Sequence, residues 1–219
     1  MSPVRGRFVV LEGIDGAGTT TQLGRLARAL EARGLAVHQT REPSDGPVGA
    51  LIRQYLRHAV TGPSGEPRTA SWDSMALLFA ADRVDHVASE IEPKLAAGAW
   101  VVSDRYDLSS LAYQSVTAPS EQVVEWIRQL NARALRPDLT LVVDVPAELA
   151  EQRRGARGGS EELYEKRELQ RRLAEIYAQA ERLVPGDRLE HVSGVGSPDE
   201  VAGRVFAAVD RALRTPSPP

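Results

Sequence analysis

Five short apolar runs, spaced by longer stretches with helical periodicity, limit what this chain can fold into more than any other feature. They are 8-FVVLEG-13, 37-VHQTRE-42, 100-WVVSDR-105, 139-LTLVVDV-145 and 189-LEHVSG-194. Each is rich in β-branched residues and too short for a helix, which predicts strands. Between the first two, Leu23, Leu26, Ala27 and Leu30 recur at helical spacing, and Gly34 stops the pattern. Residues 71–97, 121–134, 161–183 and 198–214 read as further helices. Buried strands separated by helices predict an α/β domain with a mainly parallel, five-stranded sheet in three layers.

The 219 residues suit one domain with a sizeable core, here 1–214. The tail 215-TPSPP-219 reads as disordered. Two segments break the alternation. One is the loop 61-TGPSGEPRTAS-71; the other, 153-RRGARGGSEE-162, places three arginines among glycines and reads as a mobile basic segment between helices. A net charge of −3 argues against a general nucleic-acid binder. The absence of cysteine excludes thiolate chemistry, disulfides and Cys-ligated zinc. No apolar stretch approaches the roughly 20 residues of a membrane span, and the first residues lack a signal peptide's apolar run, so a cytoplasmic protein without membrane contact is expected.

The turn after the first strand, 13-GIDGAGTTTQ-22, has the spacing of a phosphate-binding loop, Gly-x-x-x-x-Gly-Lys-Ser/Thr. Gly13, Gly18 and Thr20 fit, but Thr19 stands where the motif has its lysine. Two glycines at this spacing are weak evidence, since roughly one such match arises by chance in a chain of this length. The context is more specific: the first glycine ends FVVLE and the last opens an amphipathic helix. Backbone amides of residues 16–20 would then face an anion, with the helix N-terminus behind them. A tight turn without a ligand is the competing reading. Thr20 falls where a magnesium-binding hydroxyl belongs, and also where any early-helix threonine would sit. Thr19 can donate a hydrogen bond but carries no charge. Losing a preorganised donor to a developing oxyanion costs roughly 3–4 kcal/mol, so phosphoryl chemistry here needs a cation from elsewhere.

Other motifs extend the pattern. In 77-LLFAADRVDHV-87, Phe79 and Arg83 lie four apart, so a ring that stacks on a base and a guanidinium that donates to a base carbonyl would share a helix face. Core packing for Phe79 and an ion pair with Asp82 or Asp85 for Arg83 are the plainer readings. Asp104 and Arg105 end a strand, at the sheet edge where open α/β sheets bind ligands. Asp104 suits magnesium, directly or through water, and Arg105 a phosphate, unless the two merely pair.

These motifs, together with 40-TREPSDGPVGALIR-53, 103-SDRYDLSSLAYQS-115 and 163-LYEKRELQRRLAEIYA-178, resemble bacterial thymidylate kinases in order and spacing over roughly residues 7–180. The resemblance implies a P-loop fold with a mobile lid at about 150–162, and transfer of the γ-phosphoryl of ATP to dTMP with Mg2+, in a homodimer. It implies that Gly13, Gly16, Ala17, Gly18, Thr19, Thr20 and Thr21 bind ATP, with Thr20 and Asp104 at the metal. For the acceptor it implies Phe79 on the thymine ring, Arg83 on its O4, and Ser110 and Gln114 on the base edge. Tyr113 then packs near the sugar, Arg53 and Arg105 meet the monophosphate, and Asp15 approaches the 3′-hydroxyl, with Glu42 and Pro43 in the wall.

The family type that carries its catalytic arginine in the lid fits best, because Ile14, Asp15, Gly16 and Ala17 include no arginine. Arg153 and Arg157 are the catalytic candidates in the lid, and Arg154 a contact to ATP. An arginine delivered in this way is worth about 10³–10⁵ in rate in other phosphoryl-transfer systems, enough to offset Thr19. A second departure follows: where the family's lid continues Asp-Arg-x-Glu, this chain has Glu162, Leu163, Tyr164 and Glu165. Two alternatives remain at this level, a slow or non-catalytic nucleotide-binding relative and a kinase of another pyrimidine monophosphate such as dUMP.

Overall fold

A computed structural model describes residues 4–117, 120, 122–155 and 167–214. Strands β1 (Phe8–Glu12), β2 (Val37–Arg41), β3 (Trp100–Asp104), β4 (Leu139–Asp144) and β5 (Leu189–Ser193) form one sheet, ordered β2-β3-β1-β4-β5. Every pairing is parallel, and the register places Asp104 opposite both Leu11 and Arg41. The carboxyl ends of β1, β2 and β3 therefore finish on one line. Each sequence-predicted strand is present, ending one residue short of its expected bound.

Helices α1 (Thr19–Glu31) and α9 (Pro198–Arg214) cover one face of the sheet. Val9 and Leu11 of β1 point into that layer, with Leu23, Leu26 and Val205 against them. Phe8 and Val10 point the other way, towards Ile91, Leu95 and Tyr106. This period-2 alternation explains why every residue of β1 is buried, and it sends Glu12 to the face of Phe8 and Val10.

Helix α2 (Pro47–Leu56) was not legible as an element. It opens with Pro47 at its first turn, as suits a residue without an N–H, and buries Ile52 and Leu56 against Met75. The helix expected over 71–97 is three pieces: α3 (Trp72–His86), a wider π-helical turn (Val87–Ile91) and α4 (Glu92–Ala96). The turn opens just ahead of Pro93, which has no amide to donate to the preceding turn. Helices α5 (Asp107–Thr117), α6 (Gln122–Leu130), α7 (Ala147–Gly155) and α8 (Arg167–Tyr177) complete the second layer with Val142 and Val143 of β4.

The segment 153–162, expected to be a loop, divides. Residues 153–155 finish α7, so Arg153 and Arg154 sit in its last turn. Arg157, the Glu162–Glu165 stretch and the 215–219 tail lie outside the described residues, as does the beginning of the helix expected at 161–183.

Candidate active site

The turn from β1 into α1 follows the geometry that its glycines allow. Gly18 caps α1 at φ 96°, in the left-handed region, and the first turn carries neither a side-chain cap nor an acidic residue. The helix N-terminus is thus left facing its cleft, where the amides and dipole favour an anion. Gly16, at φ 91°, is forced by contact as well: a Cβ there would lie 2.3 Å from the carbonyl oxygen of Ala150. Helix α7 rests directly on the loop.

The cleft over this loop encloses about 530 Å³ and is lined by Gly16, Gly18, Thr19, Thr20, Thr21 and Arg154, with Asp104 and Arg105 opposite. Gly13 and Ala17 are not in that wall. Arg154 donates to the Asp15 carbonyl oxygen. Arg153 instead lines a neighbouring cleft of about 720 Å³ with Ala17, Gln22 and Pro198. Its guanidinium bridges the carbonyl oxygens of Ala17 (3.3 Å) and Gly194 (3.0 Å), tying the loop to the segment after β5.

The Thr20 hydroxyl donates to Asp104 Oδ2, while Oδ1 is buried without a hydrogen-bond partner among the described residues. One hydroxyl and one carboxylate with an unused oxygen suit Mg2+, which takes few protein ligands and completes its shell with water and phosphate oxygens. Among the described residues no group of three or more His, Cys, Asp or Glu forms a self-sufficient metal site.

A second cleft, about 690 Å³, lies between α3 and α5. Phe79, Arg83, Ser110, Tyr113 and Gln114 line it, as do Glu42, Pro43, Asp15 and Arg105. Its volume falls in the range of small-molecule sites. Arg53 is the expected residue missing from this wall; its Nη1 donates to the carbonyl oxygens of Pro43 (2.8 Å) and Ser44 (2.6 Å), bracing the turn between β2 and α2.

Arg83 is buried, and it pairs neither with Asp82 nor with Asp85. Its Nε and Nη2 donate to Glu42 Oε2 at 2.9 and 2.6 Å. Nη2 also reaches Ser110 Oγ (3.0 Å), and Nη1 donates to Asn131 Oδ1. Nη2 further reaches the Tyr106 carbonyl oxygen (3.2 Å), so among the described hydrogen bonds one of the five guanidinium donors, on Nη1, is unused. Asp82 takes the amide and hydroxyl of Ser44 (2.7 and 2.6 Å).

Asp15 and Arg105 line both clefts. Arg105 Nη2 donates to Asp15 Oδ1 at 2.6 Å, and its guanidinium lies 5.1 Å from the centre of the Tyr113 ring. Its φ of 74° is unusual outside glycine, a strained backbone of the kind that collects at functional sites. From α8, Gln170 holds Asp15 through both the amide (3.1 Å) and Oδ2 (2.9 Å).

Glu12 was missed by sequence reasoning. Fully buried, its carboxylate takes the amides of Tyr106 (2.8 Å) and Ser109 (3.1 Å), the Ser109 hydroxyl (2.6 Å) and the Tyr177 hydroxyl (3.0 Å). It caps α5 from another element. Burial pushes its carboxyl up to about 7, against the lowering effect of Arg105 and these hydrogen bonds. The signal was a charge closing an otherwise apolar strand. Gln170 and Tyr177, seven apart on α8, show the helical spacing of one buried face.

A family model described as thymidylate kinase matches residues 11–187. The chain belongs to the thymidylate kinase family. It is 40% identical over 211 residues to a probable thymidylate kinase of Pyrococcus abyssi, covering 96% of this chain and 98% of that protein. It is 39% identical to a probable thymidylate kinase of Pyrobaculum aerophilum, over 94% of this chain and 98% of the relative. A thymidylate kinase of Rhodopseudomonas palustris is 37% identical, over 98% of this chain and 93% of its own length. In this family member, then, the lysine position of the loop is Thr19.

Proposed function

We propose that this thymidylate kinase family member transfers the γ-phosphoryl group of ATP to dTMP, giving dTDP and ADP. One observation carries the reading: Asp15 and Arg105 form a wall common to the phosphate-loop cleft and the aromatic cleft beside it. Two nucleotides bound in these clefts meet at that wall, which is the arrangement an in-line transfer needs.

In the acceptor cleft Phe79 stacks on the thymine, and the free Nη1 hydrogen of Arg83 donates to a base carbonyl. Ser110 and Gln114 face the base edge, Tyr113 packs by the deoxyribose, and Glu42 and Pro43 close the wall. Asp15 accepts from the 3′-hydroxyl, while Arg105 holds the monophosphate whose oxygen attacks. Arg53 joins that phosphate only if it leaves the turn it braces.

In the donor cleft the amides of residues 16–20 hold the ATP phosphates, with Gly13 turning the chain and Ala17, Thr19 and Thr21 in contact. Thr20 and Asp104 would hold Mg2+, which when bound would supply positive charge to the phosphates. Thr19 supplies no cation, so Arg154, in the wall of this cleft, supplies it. Arg153 serves the neighbouring cleft, and Arg157 is left as a second lid arginine. The catalytic unit is one domain, residues 1–214, with a lid at about 150–162. We assign it to the cytoplasm; among the described residues no helix is long and apolar enough to cross a membrane. A homodimer is supported by exposed Leu77 and Val84 on α3 beside Leu51 on α2.

The test is ADP release with ATP, Mg2+ and each nucleoside monophosphate in turn. Turnover with dTMP well above that with dUMP is expected. dTMP binding without turnover would overturn the kinase reading in favour of a nucleotide-binding relative.

A further inference from the structure

Behind the Glu42–Arg83 pair runs a line of polar side chains, buried at His86 and partly exposed at Thr40, His38 and Glu90, that acceptor recognition leaves unused. His86, one helical turn beyond Arg83 on α3, is buried, with Nδ1 at 3.3 Å from Glu42 Oε1 and Nε2 at 2.7 Å from Thr40 Oγ1. Further out, His38 Nε2 lies 2.8 Å from Glu90 Oε1, and the same oxygen is 3.7 Å from His86 Nε2. Glu42 thus divides its carboxylate: Oε2 takes Arg83, and Oε1 faces His86.

A buried carboxylate held at only one oxygen can turn about its terminal torsion, which is broad. Arg83 would then lose its fork on Glu42 Oε2, leaving, among the described residues, only Asn131, Ser110 and the Tyr106 carbonyl oxygen to set its guanidinium. We propose that His86 is a positioning residue for acceptor binding, fixing the Glu42 carboxylate in the orientation that leaves an Arg83 N–H facing the cleft. The proposal rests on reading that cleft as the dTMP site.

The charges around His86 favour its cationic form. Glu42 and Asp45 face it from the segment after β2, Asp82, Arg83 and Glu90 from its own helix and the following turn, and Thr40 and His38 from β2. Burial opposes charge on the ring, but the bond to Glu42 and the carboxylates of Glu42, Glu90 and Asp82 outweigh it. His86 therefore titrates above the ordinary histidine range. Protonated, it donates at both nitrogens; neutral, it keeps one donor and loses the charge-assisted grip on Glu42. The grip is present at low pH and lost as pH rises through this raised value.

The experiment compares the full-length wild type with His86→Gln and His86→Leu from pH 6 to 9, reading dTMP dissociation constants, KM for both substrates, and kcat. Glutamine can donate to Glu42 and accept from Thr40 but never carries charge, so it imitates the neutral ring. The dTMP KM of His86→Gln is expected about fivefold above wild type at pH 6.5, the ratio falling towards one by pH 9. His86→Leu, with neither donor, is expected to be raised about tenfold or more at every pH. In both, kcat and the KM for ATP stay within about twofold of wild type.

A ratio for His86→Gln that stays near one at all pH values would overturn the proposal. So would parallel changes in kcat and both KM values, the pattern of a merely structural residue. If His86→Leu does not fold, the pH dependence of the His86→Gln ratio decides alone. A wild type that binds no dTMP would instead overturn the acceptor reading on which the proposal rests.

Discussion

Replacing Arg154 by methionine tests how the chain manages without a loop lysine. Among the described residues, the cations in the wall of the donor cleft are Arg105 and Arg154. Arg105 is already committed to Asp15 at 2.6 Å. Arg154 holds only a backbone carbonyl oxygen among its described hydrogen bonds, so its charge is the one available to a phosphate. Removing one preorganised donor from a phosphoryl-transfer site costs roughly 3–4 kcal/mol, and removing a charged one lies at the upper end. The expected loss in kcat for Arg154→Met is therefore about 1000-fold. The KM for dTMP should move less than about twofold, because Arg154 takes no part in the acceptor wall. Steady-state and single-turnover ADP release at saturating ATP and Mg2+ measure both quantities. Thr19→Lys restores a cation from the floor of the same cleft, so in the Arg154→Met background it should recover at least tenfold, more than it gives wild type. A loss below tenfold, or a dTMP KM that rises in step with the fall in kcat, would refute the assignment of charge to Arg154.

Three further outcomes follow from the geometry. Gly16→Ala places a methyl group 2.3 Å from the Ala150 carbonyl at a φ of 91°, so α7 must shift; a fall in kcat of about 100-fold is expected from kinetics, and a change under threefold would refute it. Glu12, with its carboxyl raised from 4.5 to about 7, is disfavoured in its charged form, so wild-type stability should drop by about 3 kcal/mol as pH rises from 4.5 to 7. Glu12→Gln should remove that slope in urea unfolding between pH 5 and 7.5, and an unchanged slope would assign it to other groups. Tyr106→Phe deletes a buried hydroxyl that has no partner among the described residues, while keeping the ring 5.1 Å from Phe8 and 5.2 Å from the Arg83 guanidinium. Its unfolding free energy should stay within about 0.5 kcal/mol of wild type or rise; a loss above about 1.5 kcal/mol would show that the hydroxyl has a partner.

What the sequence revealed depended on whether a signal was local. The strands were legible because a parallel sheet buries both faces, so FVVLE and LTLVVD carry continuous apolar runs that no surface element needs. The side chains that α3 and α5 bring to the second cleft were legible because helical spacing already places Phe79 beside Arg83 and Ser110 beside Gln114. Helix α2 was not, because its sequence opens with Gly46, Pro47 and Gly49, which locally read as turn. Gly49 is there because a Cβ would lie 2.0 Å from the Ser44 carbonyl oxygen, a contact visible only in three dimensions. Glu12, Gln170 and Tyr177 escaped for the same reason: their partners are 68 to 165 positions away along the chain. Arg153 and Arg154 were read as one basic cluster, yet adjacent positions on a helix point about 100° apart, and the structure sends them to different clefts.

The seating of α7 on Gly16 has a consequence for ATP that is not transferred. A loop lysine travels with the loop and meets the phosphates whenever nucleotide is bound. Here the proposed cation, Arg154, is carried by a helix that rests on Gly16 and is bonded to the loop through Arg153 and Arg154. Displacing α7 by a few ångströms would leave the donor phosphates with the amides, the hydroxyls of Thr19, Thr20 and Thr21 and any bound Mg2+, but without the guanidinium of Arg154. ATP held in that displaced arrangement is poorly activated towards water. If Arg154 is the cation, wasteful hydrolysis would be limited by the placement of that helix, without any residue dedicated to preventing it.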